Sequence, residues 1–255
     1  MNVVELDAST LNHKELNDRL KECIVHGADK IILRDVYGQR YIGTRLHSLE
    51  SRRKVEIEIF GTPGNDLGAF LANHKIIVHG NSQDGVGNTM NDGEIIVEGR
   101  AGDVLAMSMR GGKIFIRDSV GYRAAMHMKE DLEKRPVLVI GGSAQDFLGE
   151  YMAGGVVILL GLRNVSHRGN FIGTGMHGGV IYIRGAVGDS QLSKDVSPNE
   201  LDENDREILN QYISEFATYF DIGIDVAEIL KDHFIKLLPA TKRPYGQLYA
   251  HRSTL

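Results

Sequence analysis

Short apolar strands recur at a fixed spacing through the middle of this chain. Each strand ends on a marker position, and successive markers are 19, 19, 19, 24, 19 and 24 residues apart. The markers are Gly61, Gly80, Gly99, Asp118, Gly142, Gly161 and Gly185. The positions four and two residues before every marker are aliphatic, as in Ile76 and Val78. Because alternate residues of a strand share one side, this pattern predicts strands with one side in a common core.

A third column of large apolar side chains lies nine residues before the markers, with the first five-residue insertion falling after Met128. Its members are Leu71, Met90, Met109, Met128, Met152 and Met176. Unbranched methionine suits an uneven interior between stacked strands. A lone thioether is a weak ligand for anything but soft metals, so core packing is favoured over metal binding.

Glycine turns separate the strands. Of the 30 glycines in the chain, most fall between Gly61 and Gly188, many of them three residues from a column methionine, as Gly87 and Gly93 are. A 19-residue unit of strands and glycine turns predicts one coil of a parallel β-helix, with about six to seven coils over residues 55–188. Neither a hexapeptide period nor a GGxGxD calcium repeat is present, which disfavours a left-handed acyltransferase helix and a calcium β-roll.

The opposite side of the strands is also largely apolar. The positions three residues before the markers are Glu58, Ile77, Ile96, Phe115, Val139, Ile158 and Tyr182. An exposed stripe of this size would be unusual, so we expect it to be covered by the chain's own helices or by a partner protein. Five residues before the markers, Glu56, Lys75, Glu94 and Lys113 alternate in charge, which favours pairing between stacked strands.

The flanking segments predict additional structure. Residues 1–54 are expected to form a β-α-β cap, with a capping box at Asn12 and Glu15. Residues 189–255 are expected to hold a polar linker to about residue 203, amphipathic helices near 204–220 and 225–238, and a basic tail. The chain is therefore divided into a cap (1–54), a β-helix (55–188) and a C-terminal segment (189–255).

The composition of the chain disfavours several classes of function. The net charge of −5 disfavours a nucleic-acid footprint, and no apolar run has the length of a membrane span. The first residues lack the pattern of a secretory signal, so a cytoplasmic location is expected. The single cysteine, Cys23, excludes an internal disulfide and a cysteine-ligated iron–sulfur cluster held by this chain alone.

No catalytic constellation emerges from the motifs. The chain has no P-loop, GxSxG or HExxH sequence, and its repeat histidines fall in different columns. The glycine-rich strings have strands on both sides, which disfavours a Rossmann fingerprint. The second five-residue insertion predicts a surface loop with Arg163, His167 and Arg168, which are candidates for contact with an anion or a partner.

Three stretches carry a family resemblance: GTPGNDLGAF from Gly61, GNTMNDGEIIVEGRAGDVLAMSMRGG from Gly87 and EYMAGGVVILLG from Glu150. They resemble the GXGXG C-terminal β-helix domain of glutamate synthase large subunits, over most of residues 55–240. The repeat is shared with one of the subunits of formylmethanofuran dehydrogenase and with N-methylglutamate synthase subunits. The resemblance implies a mainly β fold, a single-stranded right-handed parallel β-helix with an N-terminal αβ cap and C-terminal helices, and an architectural role.

The catalytic parts of the full-length family cannot be matched here. In that family, ammonia released at an N-terminal cysteine reacts with 2-oxoglutarate beside FMN and an iron–sulfur cluster, whereas Met1 is followed here by Asn2 and no cluster cysteines are present. The resemblance implies a stand-alone structural subunit of a glutamate-synthase-type complex in glutamate biosynthesis. The chain itself would bind no cofactor and supply no catalytic or metal-binding residue.

Partner subunits are expected to complete the enzyme. The resemblance implies an FMN/synthase subunit and an amidotransferase subunit, which would carry the FMN and the iron–sulfur cluster, and it leaves a homo-oligomer open. The alternatives are a scaffold subunit of formylmethanofuran dehydrogenase or N-methylglutamate synthase, and an independent β-helix that binds a small molecule near Arg163, His167 and Arg168.

Overall fold

One sheet organises the protein. The computed structural model describes residues 1–44, 46, 54–131, 133–162 and 167–240, which form an 11-stranded, mostly parallel sheet that is not closed. The strands are β1 (Val3–Asp7), β2 (Lys30–Tyr37), β3 (Glu56–Thr62), β4 (Lys75–His79), β5 (Glu94–Val97), β6 (Lys113–Ile116), β7 (Val137–Ile140), β8 (Ala153–Leu159), β9 (Gly178–Arg184), β10 (Val196–Asn199) and β11 (Phe234–Pro239). They follow chain order to β9, after which the order is β11 and then β10.

The repeat appears as strand register. Ile57, Ile76, Ile95 and Ile114 are direct neighbours on β3 to β6, as the column of aliphatic residues predicted. These side chains are fully buried on the inner side of the sheet. The methionine column is buried in the same core, since Met90, Met109, Met128, Met152 and Met176 are at most 2% exposed.

The N-terminal segment extends the same sheet. Helix α1 (His13–Val25) begins at Asn12, where the predicted capping box forms: Asn12 Oδ1 accepts from Glu15 N, and Glu15 Oε2 accepts from Asn12 N. Leu16, Leu20 and Ile24 of α1 are buried in the sheet's core. Strands β1 and β2 are parallel to β3, so this segment continues the stack by two strands.

Helix α2 (Glu203–Tyr219) covers part of the outer face. Phe115, Val139, Ile158 and Tyr182 of the outward column are buried together with Leu209, Ile213 and Phe216 of the helix. The chain's own helix is therefore the cover over this part of the stripe. Beside it, Lys30, Glu56, Lys75, Glu94 and Lys113 are successive register partners, so opposite charges alternate across five strands.

The prediction of a long second C-terminal helix is wrong. Helix α3 spans only Val226–Ile229, and β11 follows it and pairs antiparallel with β9. The edge of β9 offers unpaired backbone groups, which a strand can satisfy and a helix cannot. Burial on both faces, with Leu237 in the inner core and Phe234 under α2, produced the misleading apolar spacing.

The predicted polar linker also has regular structure. A 3₁₀ turn spans Asp189–Gln191, and β10 pairs antiparallel with β11. No helix in the described part of the chain is long and apolar enough to cross a membrane.

Candidate functional site on the turn ridge

A column of stacked turns lies across the core from the sheet. We call it the turn ridge, and it consists of residues 65–70, 84–89, 103–108, 122–127, 146–151 and 170–175. Each turn is hydrogen-bonded to the next one along the ridge. Within 122–127, for example, Ala125 N donates to Leu105 O at 2.8 Å and His127 N donates to Glu150 O at 2.9 Å. The ridge is therefore a continuous ladder of backbone hydrogen bonds, which fixes the backbone from which each side chain projects.

Along the ridge, every second residue of a turn has a left-handed backbone conformation. In each turn, three residues spaced two apart have positive φ, such as Arg123 (58°), Ala125 (60°) and His127 (55°). The middle position of the three is glycine or alanine in all six turns. At Gly87 an added Cβ would lie 2.3 Å from Ile114 Cδ1, so the middle position faces the core at close range. The middle positions explain the small residues three residues before each member of the column of Leu71 and methionines.

Of the six outer left-handed positions in the last three turns, one is Gly175 and the other five carry large side chains. They are Arg123, His127, Phe147, Tyr151 and Phe171, with φ between 52° and 65°. A left-handed backbone costs about 1–2 kcal/mol per non-glycine residue, and glycine would avoid this cost. Because large aromatic and cationic side chains occupy these costly positions, we take this surface as the candidate functional site.

The five side chains form two stacks on the same three turns, which together we call the aromatic patch. The rings of Phe147 and Phe171 are stacked with centroids 4.9 Å apart, and the guanidinium of Arg123 lies 4.9 Å from the Phe147 centroid. Alongside, the rings of His127 and Tyr151 stack at 5.3 Å. Tyr151 is 47% and Phe171 53% exposed, so this surface is ordered by stacking and open to a partner.

A neighbouring carboxylate, that of Glu150, fixes the orientation of Arg123 in the aromatic patch. Arg123 Nε donates to Glu150 Oε2 at 2.9 Å, and the Glu150 side chain is only 13% exposed. The aromatic patch thus places stacked aromatic rings beside the Arg123 guanidinium and the Glu150 carboxylate that binds it. Such surfaces suit protein recognition, in which aromatic residues and arginine dominate the binding energy.

The three loop residues predicted to contact an anion or a partner do not form one described site. Arg163 lies outside the described residues. His167 is partly buried, and its Nε2 lies 2.9 Å from Arg184 O. Burial lowers the pKa of His167, against the opposing effect of that hydrogen bond, which favours a neutral ring that supports the fold. Arg168 is exposed on the surface.

A buried polar network joins three elements at the other face of the sheet. Tyr182 of β9 donates its hydroxyl to Asp205 Oδ1 at 2.6 Å, and Lys236 Nζ of β11 lies 2.5 Å from Asp205 Oδ2. Asp205 is only 2% exposed in the first turn of α2. Burial raises the pKa of Tyr182, and its hydrogen bond to Asp205 raises it further. The network locks α2 and β11 onto the sheet.

One cavity lies away from the aromatic patch. It has a volume of about 530 Å³ and lies between α1 and the first ridge turns, lined by His13, Lys14, Lys21, Tyr41 and Phe70 among others. Among the residues that the structure describes, no group of three or more His, Cys, Asp or Glu side chains could hold a metal ion.

The aromatic patch was missed from the sequence although a signal for it exists. Its members lie five residues and one residue before the column methionines: Arg123 and His127 precede Met128, Phe147 and Tyr151 precede Met152, and Phe171 precedes Met176. Extending the column comparison to these two positions would have aligned the aromatic residues. Their exposure and left-handed backbone come from the structure alone.

Comparisons with known proteins agree with this architecture. The chain is 47% identical over 257 residues to Uncharacterized protein MJ1350 of Methanocaldococcus jannaschii, with 98% of this chain and 97% of the relative covered. It also shares its fold with a chain of the formyltransferase/hydrolase complex from Methylorubrum extorquens, solved in complex with methylofuran. That match has a TM-score of 0.56 and 19% identity, and covers 80% of this chain and 71% of the other. A family model described as GXGXG motif matches residues 31–240. The chain therefore belongs to the GXGXG motif family, the family of the glutamate synthase C-terminal domain.

Proposed function

We propose that this protein is a non-catalytic structural subunit of a glutamate-synthase-type oxidoreductase complex in the cytoplasm. The FMN and the iron–sulfur cluster belong to its partners, an FMN/synthase subunit and an amidotransferase subunit. The observation that carries the proposal is the aromatic patch, a strained and exposed recognition surface on a chain of the GXGXG motif family.

The scaffold itself is proposed to be a single-stranded right-handed parallel β-helix of about six to seven coils. Support comes from the parallel in-register strands, the hydrogen-bonded turn ridge and the core between them. Such a stack is stiff because each coil is bonded to both neighbours. It would hold partner subunits at a fixed spacing.

A second candidate is a scaffold subunit of formylmethanofuran dehydrogenase, or of N-methylglutamate synthase. The fold shared with a chain of the formyltransferase/hydrolase complex supports the former. Both candidates use the same scaffold and differ in the partners bound. Identification of the proteins that copurify with the tagged full-length chain from its native host distinguishes them, and turnover by the isolated chain would refute the scaffold role.

Replacing Tyr151 and Phe171 together by glycine is expected to lower recovery of the partner subunits at least tenfold. Both residues have left-handed φ values, 52° and 58°, so glycine relieves strain while the ring contacts are lost. These effects offset each other, and the free energy of unfolding is expected to change by less than about 1 kcal/mol. Pull-down with quantitative mass spectrometry measures recovery, and urea denaturation measures stability.

The matched control is Ser108→Gly, at the equivalent left-handed position (φ 55°) outside the aromatic patch. It should leave partner recovery unchanged. Full recovery with the Tyr151→Gly/Phe171→Gly variant would show that the aromatic patch is not the partner surface, and a large loss of stability would show that its role is structural.

A further inference from the structure

Strand β1 is the end of the sheet, and its outer edge is unpaired among the described strands. Lys30 N donates to Asn2 O at 3.2 Å, and Ala8 N donates to Arg34 O at 2.9 Å. Because backbone groups alternate in direction along a parallel strand, the even-numbered residues of β1 face β2. The N–H and C=O groups of Val3, Glu5 and Asp7 therefore point away from the sheet, as three donors and three acceptors for another strand.

The side chains of β1 also favour pairing with a further strand. Val4 and Leu6 pack against the inner core but stay partly exposed, so one further strand would complete their burial. At the same end, Met1, Val3 and Val25 are among the exposed large hydrophobic residues, at 87%, 49% and 67%. The sheet end therefore leaves both backbone groups and apolar surface without cover.

The opposite end of the sheet is less suited to pairing. Its terminal strand, β10, is four residues long and contains Pro198, which lacks an N–H group. Short strands and proline are common devices against edge pairing. Strand β1 is one residue longer and contains no proline, so each of its outward backbone groups can pair with another strand, and its acidic residues select against most strands but not against a basic one.

The charged side chains of β1 indicate what kind of strand would pair with its outer edge. The side chains of Glu5 and Asp7 are acidic and exposed, and Arg34 of β2 serves both, since its Nε donates to Glu5 Oε1 at 3.0 Å and it is the register partner of Asp7. Two carboxylates therefore share one guanidinium here, whereas from β2 to β6 opposite charges face each other one to one, as Lys30 faces Glu56. A strand beside β1 would continue this pattern with basic residues two apart, opposite Glu5 and Asp7. A second copy paired through β1 about a two-fold axis at Glu5 would oppose two Glu5 carboxylates, which is unfavourable.

We propose that the outer edge of β1 binds an extended segment of a partner protein that carries Lys or Arg at alternate positions, adding a twelfth strand to the sheet. The inference rests on the proposed function in that the partner is a subunit of the same complex. It concerns a surface separate from the aromatic patch, because β1 and the ridge turns that carry the patch lie on different parts of the chain's stack. Backbone pairing supplies affinity, and the charge pattern supplies specificity.

The test uses Glu5→Pro in the tagged full-length chain, purified from its native host. Proline removes an N–H group that does not bond to β2, so the fold is retained while the docking edge loses a central donor. Recovery of the identified partner is expected to fall at least tenfold. Glu5→Gln, which keeps the N–H group and removes the charge, is expected to lower recovery severalfold and to weaken its dependence on salt.

The control is Glu203→Pro, at the first position of α2, where proline is well tolerated. It should bind the partner as the wild type does. Hydrogen exchange supplies an independent measure: the amides of Val3, Glu5 and Asp7 should slow at least tenfold when the partner is bound.

The outcomes separate the two proposals. A partner lost with Glu5→Pro, together with slowed exchange in the wild type, supports the docking edge. A partner bound equally by both chains, or unchanged exchange at these amides, overturns the docking edge and leaves the subunit role standing. A wild-type chain recovered alone overturns both, and a homodimer joined through β1 overturns the basic partner segment.

Discussion

Gly93→Ala is expected to lower the free energy of unfolding by about 4 kcal/mol, measured by urea denaturation. Gly93 has a φ of +96°, which disfavours any residue with a Cβ. An alanine Cβ would also lie 2.3 Å from His74 O and 3.0 Å from His74 N. The same carbonyl accepts from Glu94 N at 2.9 Å, so it cannot move without breaking a hydrogen bond between adjacent repeats.

Gly185→Ala is the matched control for this effect. Gly185 has nearly the same φ, +94°, but nothing lies within 4 Å of an added Cβ. We therefore expect a loss of about 1 kcal/mol from backbone strain alone. The difference between the two variants isolates the close approach of stacked backbones. Losses within about 1 kcal/mol of each other would show that the close approach of the neighbouring backbone is not what excludes a Cβ at Gly93.

Asp205→Ala is expected to cost about 3–5 kcal/mol of stability. The substitution leaves Lys236, whose side chain is 12% exposed, with the exposed Asp202 carboxylate at 3.2 Å in place of its closest partner, and it removes the acceptor of the buried Tyr182 hydroxyl. Breaking a buried pair from one side is costly because the remaining charge stays desolvated. Chemical denaturation followed by circular dichroism measures the loss.

Asp18→Ala provides the comparison at the surface. Asp18 pairs with Lys14 at 3.2 Å, but their side chains are 50% and 81% exposed, so we expect a change within about 0.5 kcal/mol. An equal effect of Asp205→Ala and Asp18→Ala would show that the buried network does not lock α2 and β11 in place.

The network also gives stability a defined dependence on pH. Burial opposes ionisation of Asp205, but the Lys236 ammonium and the Tyr182 hydroxyl outweigh it and hold the pKa of Asp205 below its ordinary 3.8. The resulting stabilisation is complete above that value and is lost as pH falls through the lowered pKa of the folded state. Asp205→Asn should therefore flatten the decline in melting temperature under acid conditions, and an unchanged decline would exclude this group as its source.

Ionisation of Tyr182 limits the stability of the fold at alkaline pH. Its pKa is raised, mainly by burial, so its contribution is complete below the ordinary value of 10.0 and declines as pH rises above it. Between these limits, the network should hold stability nearly constant.

The strands and the inner core were predictable from the sequence because burial on one side leaves a local, repeated pattern. Ile76, Ile95 and Ile114 lie 19 residues apart, and the structure places them on adjacent strands. The capping box at Asn12 was predictable for the same reason, since its partner Glu15 lies three residues away.

The sequence did not predict the structure where contacts between distant parts of the chain decided it. Whether residues 234–239 form a helix or a strand was decided by the free edge of β9, about 50 residues earlier in the chain. The cover over the outer apolar column was decided by how α2 folds back across the sheet.

By itself the sequence determined the repeating strands, the glycine turns and the buried methionine column, because regular stacking requires the same residue type at the same place in each repeat. Tertiary structure alone decided which outward residues became a surface for binding. Phe147 and Phe171 are 24 residues apart, and their rings meet at 4.9 Å only because a left-handed backbone points both outward on adjacent turns. Side-chain direction in that conformation depends on the hydrogen bonds between turns, which residue preferences do not encode.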